Sequence, residues 1–148
     1  AVGTAIVAAL KPVSGEIRVF VTDPSRGDQY RRVSKVAIGD LSDGSHVGGA
    51  AIGAFCAIAI AAAASDERER HFAANPAAVL AQWADGLSDA GVGRVITVGN
   101  ADDLPDPNPL ALAAAEHAFV DTSGKGTEAI AAEVARLEAA ATLQNSEL

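Results

Sequence analysis

Apolar positions along the chain fall into runs of two different periods. Val2 to Leu10 is a nearly unbroken apolar run closed by the turn cluster Lys11, Pro12, Ser14 and Gly15, which reads as a buried strand followed by a turn. Glu16 to Thr22 alternates, with Ile17, Val19 and Val21 on one face and Arg18, Phe20 and Thr22 on the other, the period of two that a pleated strand imposes. Asp23, Pro24, Ser25 and Gly27 supply the next turn, and Arg31 to Ile38 is a third β-rich segment ending at Gly39 and Asp40. Three strands joined by short turns predict an antiparallel meander.

From Gly44 onward the period becomes helical. Gly49, Gly53, Ala57 and Ala61 recur every four residues while Ile52, Phe55 and Ile58 gather opposite them, so one buried central helix with a small face and a large face is expected. Ser65, followed by Asp66 and Glu67, carries the cap and acidic first turn of a second short helix. Asn75-Pro76 and Asn108-Pro109 are N-cap and first-turn pairs, and each starts a helix, from Pro76 to about Ala90 and from Pro109 to about His117. Val92 to Val98 and Ala118 to Asp121 are short strands. A final amphipathic helix from about Thr127 to Leu143 places Ile130, Val134, Leu137 and Ala141 on one face. The expected fold class is α/β or α+β: an N-terminal antiparallel three-strand meander, then helices and one or two further strands, in a mixed sheet packed on an Ala/Gly-rich central helix. The 148 residues form a single globular domain, 1–148, with no internal repeat or linker.

Composition changes this picture in two respects. The chain has 34 alanines, no methionine and only six aromatic residues, so its core relies on close backbone approach, and a homo-oligomer would add buried area. Val47 to Ala64 is long enough to span a bilayer, but nine of its residues are Ala and three are Gly, which favour insertion too weakly for a membrane span. Nor does the apolar start carry a basic region or cleavage site, so a soluble, cytoplasmic chain is expected. The single cysteine, Cys56, excludes an internal disulfide and a multi-cysteine metal site, and its place in the predicted helix marks it as a small core residue. The net charge of −8 argues against nucleic acid as a partner. Residues 1–40 are nevertheless net +2, and the remainder net −10, so a local basic surface around Arg31, Arg32 and Lys35 could steer an anionic molecule or protect an edge strand.

The densest candidate chemistry is the stretch Gly39 to Gly49, between a predicted strand and the predicted central helix. Backbone N–H groups and the positive helix end there would face a bound anion, with Ser42, Gly44, Gly48 and the hydroxyl of Ser45 as ligand contacts. Asp43 or Asp40 could orient His46 as a general base, giving His46, Ser45 and Asp43 as the catalytic candidates. The alternative is that Ser45 or Asp43 only caps the helix while the glycines permit close packing. A second loop, Asp121 to Thr127, contains SGKGT. The leading glycine of a nucleotide-binding P-loop would fall on Phe119, and Gly126 replaces the hydroxyl residue after Lys125, so no NTPase is inferred. Ser123 and Lys125 remain candidates for an anion nest that, with Arg31 or Arg32, meets the first loop. Asp102, Asp103 and Asp106 fit no EF-hand spacing and read as solvated loop acids, so no metal site is assigned. His71 is expected on a charged helix surface, His117 at a helix C-terminus and Trp83 as a core or interface anchor. Two functions follow: an enzyme or binding domain for a small anionic metabolite, its cofactor and reaction unspecified, or a non-catalytic subunit of an oligomer.

Overall fold

A computed structural model describes residues 2–66 and 75–143. The chain opens with α1 (Val2–Leu10), then β1 (Arg18–Val21), the short α2 (Pro24–Gly27) and β2 (Lys35–Ile38). It continues through α3 (Gly44–Ala51), β3 (Cys56–Ile60), α4 (Pro76–Asp89), β4 (Arg94–Gly99), β5 (Glu116–Asp121) and α5 (Thr127–Ala139). Every strand pairing is parallel, with β1 beside β2 and, separately, β3–β4–β5 in that order. The expected antiparallel meander is therefore replaced by parallel strands with intervening helices, an α/β architecture.

The first correction is α1. Val2, Ile6 and Leu10 stand four residues apart, and Ile6, Val7 and Leu10 are the buried side chains. That spacing is one face of a helix, and the alanines between are the best helix formers. The second correction is the supposed central helix over Val47 to Ala64, which breaks after Ala51. Gly53 adopts φ +83° in the turn, a left-handed conformation that glycine accepts at little steric cost. Beyond it, Cys56, Ile58 and Ile60 pack on one side of β3 and Ala57 and Ala59 on the other, a period of two. Gly53 therefore lies in a turn with open space around it, not on a packed helix face. Further on, Pro109–Leu112 is only a 3₁₀ turn, and His117 is buried in β5 instead of ending a helix. The helix expected to begin near Ser65, with His71 on it, falls mostly on residues 67–74, outside the described residues; Ala61–Ser65 is a 3₁₀ turn.

Helices cover both faces of the larger sheet. On one side Ile6, Leu10, Ile130, Val134 and Leu137 of α1 and α5 pack on Ile96, Val98 and Val120. On the other, Val79, Leu80, Trp83 and Leu87 of α4 pack on Val95 and Leu110. All six residues of β4 are buried, as a parallel strand covered on both faces must be. At its amino end Arg94, 1% exposed, binds the Glu116 carboxylate at 2.8 and 3.0 Å and donates to the carbonyls of Leu137, Glu138 and Ala140. This ties the end of α5 to the sheet. Between β1 and β3 lies a cavity of about 1160 Å³, with α1 on one side and α3 and α4 on the other. No helix among the described residues is long and apolar enough to cross a membrane.

Candidate functional site

The turn between β2 and α3 is built by two aspartates. Asp40 Oδ1 accepts from the Ser42 amide at 2.8 Å and the Ser42 hydroxyl at 2.5 Å. Asp43 does the same for Ser45, at 2.9 and 2.6 Å, and caps α3. The Ser45 hydroxyl, with its amide, holds the Asp43 carboxyl below the usual carboxylate range. Leu41 bridges neighbouring elements: its amide donates to Thr22 Oγ1 at the end of β1 (2.8 Å), and its carbonyl accepts from Trp83 Nε1 of α4 (2.6 Å). Leu41 and Trp83 both line the cavity between the sheets.

His46 is held in a defined way. Its Nδ1 accepts the Asp40 amide at 3.0 Å, and its Nε2 stands 3.8 Å from the Asp43 carboxylate. With Nδ1 occupied as acceptor, the neutral ring carries its proton on Nε2. His46 thus presents a donor, and the lone pair a base would need is engaged by backbone.

The first amides of α3 are also engaged. Gly44 N–H donates to Gln82 Oε1 at 3.0 Å, Ser45 N–H to Asp43, and the His46 and Val47 amides to the Asp43 carbonyl at 3.1 Å. Gly44 and Gly48 face α4 across a backbone contact. A Cβ on Gly44 would stand 2.6 Å from the Gln82 carbonyl oxygen, and one on Gly48 2.9 Å from that of Gly86. In this geometry the two glycines serve the packing of α3 on α4.

The remaining candidates lie apart. Arg31 and Arg32 sit in the turn ahead of β2, at the opposite end of that strand from Asp40, with Arg31 paired to Asp28 at 3.2 Å. Ser123 and Lys125 are exposed in the turn after β5, where the Ser123 amide donates to Asp121 at 3.0 Å and, with its hydroxyl, lowers the Asp121 pKa. Since β1 and β3 flank the cavity, β2 and β5 are the outer strands, and the two loops lie at opposite edges instead of meeting.

Three features escaped sequence reasoning. The Asp40 Oδ2 atom is buried and has no hydrogen-bond partner among the described residues, although Asp40 is only 7% exposed. Such an acceptor is costly unless something donates to it. The start of α1 is the second: a Cβ on Gly3 would meet Tyr30 Oη at 2.8 Å and Ile60 Cδ1 at 3.6 Å. Ile60 is the last residue of β3, so the positive end of α1 lies at the carboxyl ends of the strands. Reading α1 as a strand had hidden it. Third, Thr97 Oγ1 lies 2.8 Å from His117 Nε2 and accepts from Asn108 Nδ2 at 3.3 Å, all three fully buried, a polar cluster that joins β4, β5 and the turn before β5. The thiol of Cys56, half-buried in β3, is pushed up to about 12, first by burial and then by Glu138.

No protein-family model matches this chain. No curated protein matches it either. Solved structures do resemble it. Triphenylmethane reductase from Citrobacter sp., complexed with NADP(H), superposes with a TM-score of 0.74 at 14% identity, covering 100% of this chain and 66% of the reductase. The NADPH-dependent quinone oxidoreductase QOR2 from Escherichia coli, complexed with NADPH, gives a TM-score of 0.64 at 16% identity over 81% of this chain and 44% of that one. A putative epimerase from Bacteroides thetaiotaomicron gives 0.52 at 23% identity, over 88% and 53%. These likenesses establish a Rossmann-like α/β fold, of which this chain spans less than two thirds of each neighbour's length.

Proposed function

We propose that this chain is a dinucleotide-binding domain that takes an adenine nucleotide across the carboxyl ends of its parallel strands. The observation that carries the reading is Asp40 Oδ2, a buried acceptor without a partner at the carboxyl end of β2. In open α/β sheets ligands bind outside the carboxyl ends of the strands, where the strand order reverses. Asp40 lies just beyond the carboxyl end of the outer strand β2, and an exocyclic amine like that of adenine would satisfy its free oxygen. The start of α1, beside the end of β3, offers positive partial charge to a pyrophosphate. Asp23 follows β1, and Arg26 beyond it is paired with Asp66 at 2.7 Å. A carboxylate at this position suits the 2′-hydroxyl of an unphosphorylated ribose better than a 2′-phosphate. The two neighbours above that are complexed with NADP(H) or NADPH support the nucleotide class; no reaction is assigned.

Titration of the protein with NADH and NADPH, followed by Trp83 fluorescence and calorimetry, tests this. NADH should bind, and more tightly than NADPH. Asp40→Ala should weaken NADH by about 10- to 100-fold, the range expected for a hydrogen bond to a charged group. Asp40→Asn, which retains an acceptor for Ser42, checks that the turn is intact. Absence of binding by either nucleotide, or affinity indifferent to Asp40, refutes the proposal.

A further inference from the structure

An ion pair stands at the cavity, beside the start of α1. Arg26, in α2 after β1, reaches Asp66, in the segment after β3, with Nη2 2.7 Å from Oδ2. Both side chains line the same cavity as Val2 and Gly3 of α1 and as Tyr30, whose hydroxyl would meet a Cβ on Gly3 at 2.8 Å. The pair therefore links the carboxyl end of β1 to that of β3, next to the positive end of the helix.

Arginine is the side chain best shaped to grip a phosphate, through paired N–H donors on a planar fork. Here Nη2 of that fork is committed to a carboxylate. A second carboxylate stands close by: Asp23 caps α2, and its pKa is lowered first by the Ser25 hydroxyl, then by the Ser25 amide, with a smaller contribution from the charge of Arg26. One guanidinium thus answers to two carboxylates. With side-chain exposures of 31% and 23%, the Arg26–Asp66 pair is of a kind that contributes little to stability. Its consequence is for what Arg26 can bind.

We infer that Asp66 sets the choice between the two nicotinamide nucleotides: by holding Arg26 it withholds the cation that a 2′-phosphate requires, and so turns the site toward the unphosphorylated ribose. The inference rests on the nucleotide reading above and adds to it a residue from beyond β3. Asp66 acts through Arg26 and is a positioning residue. A phosphate monoester carries about −1.5 to −2 charges at pH 7, so a carboxylate set against it disfavours one ligand as effectively as a new contact favours the other.

Asp66→Asn keeps the size of the side chain and removes its charge. Calorimetric titration with NADH and NADPH compares it with the parent protein, with Asp66→Glu and with the double variant Arg26→Ala, Asp66→Asn. Asp66→Asn should raise NADPH affinity by about 10- to 100-fold, the range for a hydrogen-bonded charge pair, and move NADH by less than about fivefold, the limit for an exposed charge. The NADPH gain should shrink as salt rises from about 0.1 to 1 M, where the Debye length falls from about 10 to 3 Å. Asp66→Glu should keep the parent's preference, and the double variant should lose the gain. Thermal unfolding checks that each variant is folded; Asp66→Ser carries the same expectation as Asp66→Asn. A ratio of NADPH to NADH affinity unmoved by Asp66→Asn, an equal gain for both nucleotides, or a gain that survives Arg26→Ala would each overturn the inference. NADH binding with an unmoved ratio leaves the nucleotide reading standing, whereas binding of neither nucleotide by any variant removes both.

Discussion

Gly86→Ala isolates the contact on which the α3–α4 layer depends. A Cβ at Gly86 would fall against the Gly44 carbonyl oxygen and 3.0 Å from the Gly48 amide nitrogen. Both obstacles are backbone of a neighbouring helix, so a side-chain rotation cannot relieve them; α3 must move away from α4. That displacement loosens the Gly44 to Gln82 hydrogen bond of 3.0 Å and the Trp83 to Leu41 bond of 2.6 Å. Overpacking of this kind costs about 1–3 kcal/mol or more, while replacing a mid-helix glycine with alanine returns about 1 kcal/mol. Because both obstacles are backbone, the cost falls in the upper part of that range, about 2–3 kcal/mol, and the net loss is roughly 1–2 kcal/mol, a fall in melting temperature of about 2–8 °C for a domain of this size. Gly49→Ala is the matched comparison, since a Cβ there meets nothing within 4 Å. It should gain the helix-propensity term alone, about 0.5–1 kcal/mol. Urea and thermal unfolding of both variants give the measurement. If Gly86→Ala is as stable as the parent protein, the helices are not in backbone contact and the packing argument fails.

Cys56 should react with iodoacetamide at pH 8 at least about 100-fold more slowly in the native protein than in urea, because burial pushes its pKa up to about 12 from an ordinary value of 9.0. Between pH 9 and 12 the folded state keeps a proton that the unfolded chain releases, so this thiol lowers stability as pH rises through that window, and Cys56→Ala should flatten the alkaline limb of unfolding. Glu116 acts at the other end. The Leu143 amide, and then Arg94, lower its pKa from 4.5, so its stabilisation is complete above the unfolded value and is lost as pH falls through the folded one. Glu116→Gln should lower the urea midpoint at pH 7 and shrink the difference between pH 7 and pH 3; an unchanged difference would refute the role.

What was legible in the sequence follows from which signals are local. Asn75-Pro76 marked the start of α4 because both the cap and the proline act within one turn, and the β-branched run ending at Val98 marked β4 because burial on both faces leaves no polar position to interpret. The misreadings came where two periods fit the same residues. Val2, Ile6 and Leu10 are compatible with an apolar strand run until their four-residue spacing is weighed. The repeat of Gly49, Gly53, Ala57 and Ala61 is helical by spacing, but the alternation of large and small residues from Cys56 to Ile60 was the stronger signal. Small residues obscure such choices because alanine fits either face of either element. Parallel pairing was not readable, since it depends on where helices return the chain. At the candidate site, the sequence drew attention to Asp40 and Asp43 but gave them similar roles. Only the fold separates Asp43, whose carboxylate serves its own cap, from Asp40, which retains a buried oxygen for something else.

The seam between the two sheets brings these observations together. Polar links that fasten the β1–β2 unit to the rest of the molecule include Leu41 to Trp83, Arg26 to Asp66 at 2.7 Å, and Arg18 to the carbonyls of Ala50 and Ile52 at 2.7 and 2.9 Å. A nucleotide reaching from the start of α1 to Asp40 would fix the distance between β1 and β3 at the carboxyl ends of the strands. Binding therefore orders the β1–β2 unit, and NADH should slow hydrogen exchange of the amides in 18–21 and 35–38. Exchange there that is unchanged at saturating NADH would refute the placement of the nucleotide across the two sheets.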